Sequence, residues 1–145
     1  MRKINKIIVH CTATQEGKDI PLEEIRRWHL KRGWRDIGYH FLIQRDGTVE
    51  EGRPIEQSGA HTKGHNWDSI GLAYVGGVES ERGENGKWIA KDTRTEAQRE
   101  SMVDLLCQLK DTYSKSVIYG HNNFSSKSCP CFDAKKEYEN ISNRY

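Results

Sequence analysis

Short apolar runs of strand period alternate along this chain with two longer stretches of helical period. Residues 7–12 are rich in β-branched side chains and read as a strand, with Ile8, His10 and Thr12 on one face and Ile7, Val9 and Cys11 on the other. A polar loop follows over residues 13–20. A helix is predicted over 21–32: Pro21 suits its first position, Glu23 and Glu24 suit its positive end, and Gly33 suits its stop. Leu22, Ile25 and Trp28 make its apolar stripe, and His29 is expected to pack beside it. Residues 37–44 read as a second strand, turned at Asp46-Gly47 into an antiparallel return over 48–51. A further strand is expected over 69–75, then Gly76-Gly77 and a polar surface excursion over 79–92. Thr95 with Gln98 matches a capping box and opens a helix to about Tyr113, with Met102, Leu105, Leu106 and Leu109 inward. Residues 117–119 form a last strand, and Asp133 caps a final helix carrying Tyr138 and Ile141.

Strands alternating with helices, plus one hairpin, predict an α/β fold: a central mixed sheet of about five strands flanked by helices. The first strand, its helix and the second strand suit a crossover unit. Ligands on open sheets gather beyond the carboxyl ends of the strands. His10 lies near the end of the first strand and His121 just past the end of the last. If those strands run parallel and adjacent, both imidazoles reach one rim.

Composition narrows the reading. The 145 residues are expected to form one domain over 1–145, long enough to bury a core without disulfides. Four Trp, six Tyr and three Phe supply apolar bulk against 34% hydrophobic residues. A net charge of +2 argues against a nucleic-acid partner. No run approaches the roughly 18 apolar residues of a membrane span, and the basic start leads into too short an apolar run for a signal peptide. Synthesis in the cytosol and no membrane insertion are therefore expected; a monomeric state is expected as well. The four cysteines are expected to be reduced, with Cys107 in the core.

Imidazole and thiolate both suit zinc, and three protein ligands leave a fourth position for water. His10, His121 and Cys129 are such a set, although six histidines and long spacing make the signal weak by itself. Strand-end histidines at the surface and a buried thiol are the plain alternative. Cys11 adjoins His10, and Cys131 follows Cys129 across Pro130, so either thiol is a competing ligand.

The motifs carry more. Ile7-Ile8-Val9-His10-Cys11-Thr12-Ala13-Thr14, Ile25-Arg26-Arg27-Trp28-His29-Leu30, Gly33-Trp34, Ile37-Gly38-Tyr39-His40-Phe41 and Arg45-Asp46-Gly47-Thr48-Val49-Glu50 are followed by Gly52-Arg53-Pro54. Then come Gly59-Ala60-His61, Lys63-Gly64-His65-Asn66, Ser69-Ile70-Gly71, Val75-Gly76-Gly77, and Lys127-Ser128-Cys129-Pro130 with Phe132-Asp133. In this order they span nearly the whole chain, which resembles the N-acetylmuramoyl-L-alanine amidase family of phage-lysozyme and peptidoglycan-recognition type. The resemblance implies one zinc ion on His10, His121 and Cys129, with Tyr39 and Lys127 assisting hydrolysis of the muramoyl–L-alanine amide in peptidoglycan. Zinc lowers the pKa of a bound water to about 7. Lys127, two residues before a ligand, suits the charge that builds on the carbonyl oxygen; Tyr39 suits orienting water or moving a proton.

Each residue also has a plainer role. Tyr39 shares a predicted strand face with Ile37, Phe41 and Ile43 as a core aromatic, and His40 falls on the opposite face as a packing or substrate-binding residue. His61, Lys63 and Asn66 stand in a Gly-rich loop that either grips the polymer or is a solvated connection. The leading reading is a phage or prophage endolysin that waits in the cytosol and degrades the cell wall after release. Its alternatives are a peptidoglycan-binding module without catalysis and a protein-binding regulator on the same fold.

Overall fold

A computed structural model describes residues 2–144. In chain order its elements are β1 (Lys6–Cys11), β2 (Thr14–Gln15), α1 (Leu22–Lys31), β3 (Phe41–Ile43), β4 (Val49–Glu51), β5 (Ser69–Tyr74), β6 (Gly77–Val78), α2 (Glu96–Thr112), β7 (Val117–Gly120), α3 (Ala134–Glu137) and α4 (Glu139–Ser142). Five strands make one mixed sheet in the order β4-β3-β5-β1-β7. β1 runs parallel to β5 and β7, β3 runs parallel to β5, and only β4 is antiparallel. The expected fold class is the one found. β5 inserts between β1 and β3, so the first strand and the strand after α1 are not neighbours.

β1 is the spine. Ile7, Ile8 and Val9 are fully buried and His10 and Cys11 nearly so, as expected of a strand covered on both faces. On one side Ile7 and Val9 pack with Ile70, Leu72, Met102 and Leu106, so α2 covers this face. On the other, Ile25 of α1 meets Ile37, Leu42, Ala73 and Val75. Among the described residues no helix is long and apolar enough to cross a membrane.

α2 starts as its sequence predicts. The Thr95 side chain accepts from the Gln98 N–H, and the Gln98 side chain accepts from the Thr95 N–H. Gln98 does more than cap. It is fully buried, and its Nε2 donates to the carbonyls of Ile43 (3.2 Å) and Val75 (3.1 Å), tying the ends of β3 and β5 to the helix.

Several expectations need correction. The strand predicted over 37–44 keeps only its last part. Upstream, backbone groups find other partners: Gly38 N–H donates to His29 Nδ1 (2.8 Å), and Arg53 Nε donates to the Ile37 carbonyl (3.0 Å). The bend breaks the alternation, so Ile37 and Tyr39 pack on the α1 side while Phe41 and Ile43 pack on the α2 side. On α1, Trp28 is 37% exposed and His29 takes the inward place, because His29 supplies the acceptor that Gly38 needs. The loop after β1 contributes β2, which pairs in parallel with β6 in a second, two-stranded sheet. Cys107 is only partly buried. The final helix is divided at Tyr138, whose ring is buried, and Asp133 caps its first half by accepting from Lys136 N–H.

Candidate metal centre

β1 and β7 end side by side. Val9 is in register with Gly120, so His10 on β1 and His121, the first residue of the turn that follows β7, are the next residues outward on this rim. Their ring centroids are 4.7 Å apart. Cys129 arrives on the loop after β7, and its Sγ lies 3.8 Å from His10 Nδ1. One donor atom from each of His10, His121 and Cys129 lies within 4.8 Å of the others. Zinc bonds of about 2.0–2.3 Å in a tetrahedron place nitrogen and sulfur donors about 3.6 Å apart. The donor set therefore fits such an ion after small side-chain movements. His10 is buried while His121 and Cys129 are half-buried, which gives the site a closed back and an open front.

The electrostatics favour ligand forms. Burial pushes His10 well below the usual imidazole range, and the nearby His61 and His121 add to this. Burial also lowers His121, followed by the charge of Lys127. Both rings are thus neutral, with a lone pair to give. Cys129 is held below the ordinary thiol range by hydrogen bonding with Cys11, outweighing burial, and Lys127 also favours its thiolate. The Cys11 backbone N–H donates to Cys129 Sγ at 3.2 Å.

The competing thiols separate cleanly. Cys11 is pushed up to about 12, chiefly by its contact with Cys129. Cys131 is pushed up further, chiefly by Cys11; its Sγ lies 4.0 Å from Cys11 Sγ and 3.3 Å from the Gly77 carbonyl. Cys129 is the thiol that joins the two histidines. Arg94 braces the segment behind it: the guanidinium lies 3.4 Å from the Phe132 ring centroid and bonds Asp92, Glu137 and the Tyr138 hydroxyl. An open cleft of about 570 Å³, lined by Asn122, Ser128, Cys131 and Phe132 among others, borders the same loop.

Tyr39 is half-buried with its ring centroid 5.4 Å from that of His10, a place it owes to the bend that took it out of β3. Burial pushes its phenol well above the ordinary range, so it keeps its proton. Lys127 is exposed. The loop residues expected at the substrate divide. Lys63 is exposed and free to meet a polymer. Asn66 spends its Oδ1 on the N–H groups of His61 and Thr62, both at 2.9 Å, and so shapes the loop. His61 is buried, with Nδ1 2.9 Å from His10 Nε2. His40 is buried too: its Nδ1 accepts from Gly71 N–H (3.0 Å), and its Nε2–H donates to the Gln57 carbonyl (2.8 Å). His61 and His40, both expected at the substrate, are thus buried and engaged in internal bonds. His40 also lies toward the same histidine cluster as Tyr39, its ring centroid 5.8 Å from that of His61, because the bend cancels the strand's alternation.

Thr62, Ser69 and Arg2 were not singled out by sequence. Thr62 Oγ1 lies 2.9 Å from His61 Nδ1, and Ser69 Oγ lies 3.3 Å from His61 Nε2. Arg2 donates to the carbonyls of Ile55 and Ser69 and pins the start of the chain to this loop. One signal was available: Gly71 sits inside a buried strand, where glycine marks a close approach.

Two imidazoles and a low-pKa thiol, open on one side at the carboxyl edge of a mixed sheet, define a candidate metal centre of the hydrolytic kind. The model of the N-acetylmuramoyl-L-alanine amidase family matches residues 1–132. The chain is 44% identical over 133 residues to the endolysin of Escherichia phage T7, covering 92% of this chain and 84% of that one. It is 32% identical to peptidoglycan-recognition protein SC2 of Drosophila melanogaster, covering 94% and 73% respectively. Among solved structures, N-acetylmuramoyl-L-alanine amidase LysC from Clostridium intestinale superposes with a TM-score of 0.77 at 28% identity, over 97% of this chain and 83% of that chain. The chain belongs to the N-acetylmuramoyl-L-alanine amidase family.

Proposed function

We propose that this protein hydrolyses the amide between the N-acetylmuramoyl group and L-alanine in peptidoglycan, with one zinc ion on His10, His121 and Cys129. The observation that carries the proposal is their convergence within 4.8 Å on the open rim, in a chain of the amidase family. Its likeness to phage endolysins supports a role as an endolysin, made in the cytosol and acting on the wall after release.

Zinc, when bound, supplies a Lewis acid and water of lowered pKa. The chain's own residues do the rest. His10 and His121 stand ready as neutral donors, and the Cys11 N–H steadies the Cys129 thiolate. Lys127, exposed and two residues before Cys129, is assigned to the amide oxygen that gains negative charge during attack. Tyr39 retains its proton and so acts as a hydrogen-bond donor that orients water or substrate rather than as a base. Lys63 is assigned to the polymer's peptide or glycan, with Asn66 holding its loop in shape.

The test is to incubate the protein with purified peptidoglycan, with and without a chelator, and to follow products by mass spectrometry. Peptides with a free L-alanine amino terminus should leave an intact glycan, and chelation should stop their release. Bound zinc without any such peptide would instead favour a binding module; release indifferent to chelation would remove the zinc assignment.

A further inference from the structure

Behind His10, away from the open front, a second imidazole fills a slot shaped for it. A Cβ added at Gly71 would stand 2.5 Å from both Cγ and Cδ2 of His61, and one added at Gly59 would stand 2.7 Å from Cδ2. At Gly71 all three nearest atoms belong to this ring, whereas at Gly59 the space is shared with the Gly38 carbonyl and the His40 ring. Asn66 fixes the backbone of His61, Thr62 Oγ1 lies against its Nδ1, and Ser69 Oγ faces its Nε2.

The slot matters because His10 has two nitrogens and an ion needs one lone pair. Nδ1 faces Cys129 Sγ, so in the ligand form the proton sits on Nε2. That N–H is buried, and a buried donor left without an acceptor is destabilising. Two atoms are within reach: His61 Nδ1 at 2.9 Å and Thr62 Oγ1 at 3.3 Å. His61 accepts there only as the tautomer with hydrogen on Nε2, and Ser69 Oγ, 3.3 Å away, is where that hydrogen points. The chain Ser69–His61–His10 therefore has one consistent direction, ending in a lone pair aimed at the rim.

We propose that His61 is a positioning residue: it holds His10 in the orientation and tautomer that present Nδ1 to the metal, and thereby sets how tightly the ion is held. This rests on the zinc reading above. Partners that orient a ligating histidine typically change metal affinity by roughly 10- to 100-fold when removed.

The experiment compares zinc dissociation constants by competition with a chromophoric chelator, alongside urea unfolding of each metal-free form. His61→Phe, which fills the slot without an acceptor, is expected to bind zinc roughly 10- to 100-fold more weakly. His61→Asn, whose oxygen replaces Nδ1 as acceptor, is expected to recover most of that loss. Ser69→Ala leaves the ring seated and is expected to weaken zinc several-fold, so the proposal remains testable if His61→Phe does not fold. Wild-type zinc affinity in Ser69→Ala together with wild-type affinity in whichever His61 variant folds overturns the proposal. Equal losses in His61→Phe and His61→Asn, both folded, also overturn it, because packing alone would then explain them. A wild-type protein that binds no zinc is a different failure: it removes the metal reading itself, and this inference with it.

Discussion

Acid should unfold this protein in a window set by its buried histidines, and His40 allows the size to be worked out. Its Nδ1 must stay unprotonated to accept from Gly71 N–H, while the guanidinium of Arg2 lies 3.2 Å from Nε2. Burial lowers its pKa from 6.5 to about 4, with Arg2 and Arg53 adding to the fall and the Gln57 carbonyl opposing it. The folded pKa is below the unfolded one, so the unfolded chain takes up the proton first. Stability from this group is whole above pH 6.5, falls as pH drops below it, and is lost once pH passes the folded value near 4. Each pH unit in that window is worth about 1.4 kcal/mol, so about 2 kcal/mol is lost by pH 5. His40→Asn keeps an acceptor for Gly71 and does not titrate. Urea unfolding of chelator-treated wild type and variant at pH 7.5 and pH 5 isolates the term, since every other group is shared. The variant should start less stable, and the gap should narrow by about 2 kcal/mol at pH 5. A gap unchanged between the two pH values would refute the assignment of His40 as a neutral internal acceptor.

Three further outcomes test other parts of the structure. Cys129→Ser should lose zinc and hydrolysis together, measured by metal content after dialysis and by peptide release, while Cys131→Ser should keep both. Lys127→Ala should retain zinc but lose roughly 100-fold or more in turnover, as when an oxyanion partner is removed; full activity would withdraw that role. Gln98→Leu should cost about 1–3 kcal/mol in urea unfolding, because it strips the buried Val75 carbonyl of its side-chain donor, leaves the Ile43 carbonyl with the Val75 N–H alone, and removes the acceptor of the Thr95 N–H at the α2 cap.

The sheet and its rim were legible because their signals are local. The apolar run of β1 and the paired Thr95 and Gln98 each announce an element, and placing His10 and His121 at strand ends needed only that β1 and β7 be neighbours, as they are. What could not be read depends on long-range partners. Nothing near Ile37 says that Gly38 will donate to a histidine nine residues earlier, so local alternation alone predicts a strand longer than β3 and one face for Tyr39, Phe41 and Ile43. His61 sits in a Gly-rich loop of surface character. Its burial follows from missing side chains at Gly59 and Gly71, which sequence shows only as two small residues. The choice among thiols was also spatial: Cys129 and Cys131 are two positions apart, yet one faces His10 and the other Gly77.

The parallel pairing of β1 with β7 joins the first strand of the chain to the last. A nascent polypeptide that has made β1, β3, β4 and β5 but not yet residues 121–129 therefore holds only His10 of the three proposed ligands. The proposed ion site is thus a long-range closure, formed only when residues 119 positions apart, His10 and Cys129, have met.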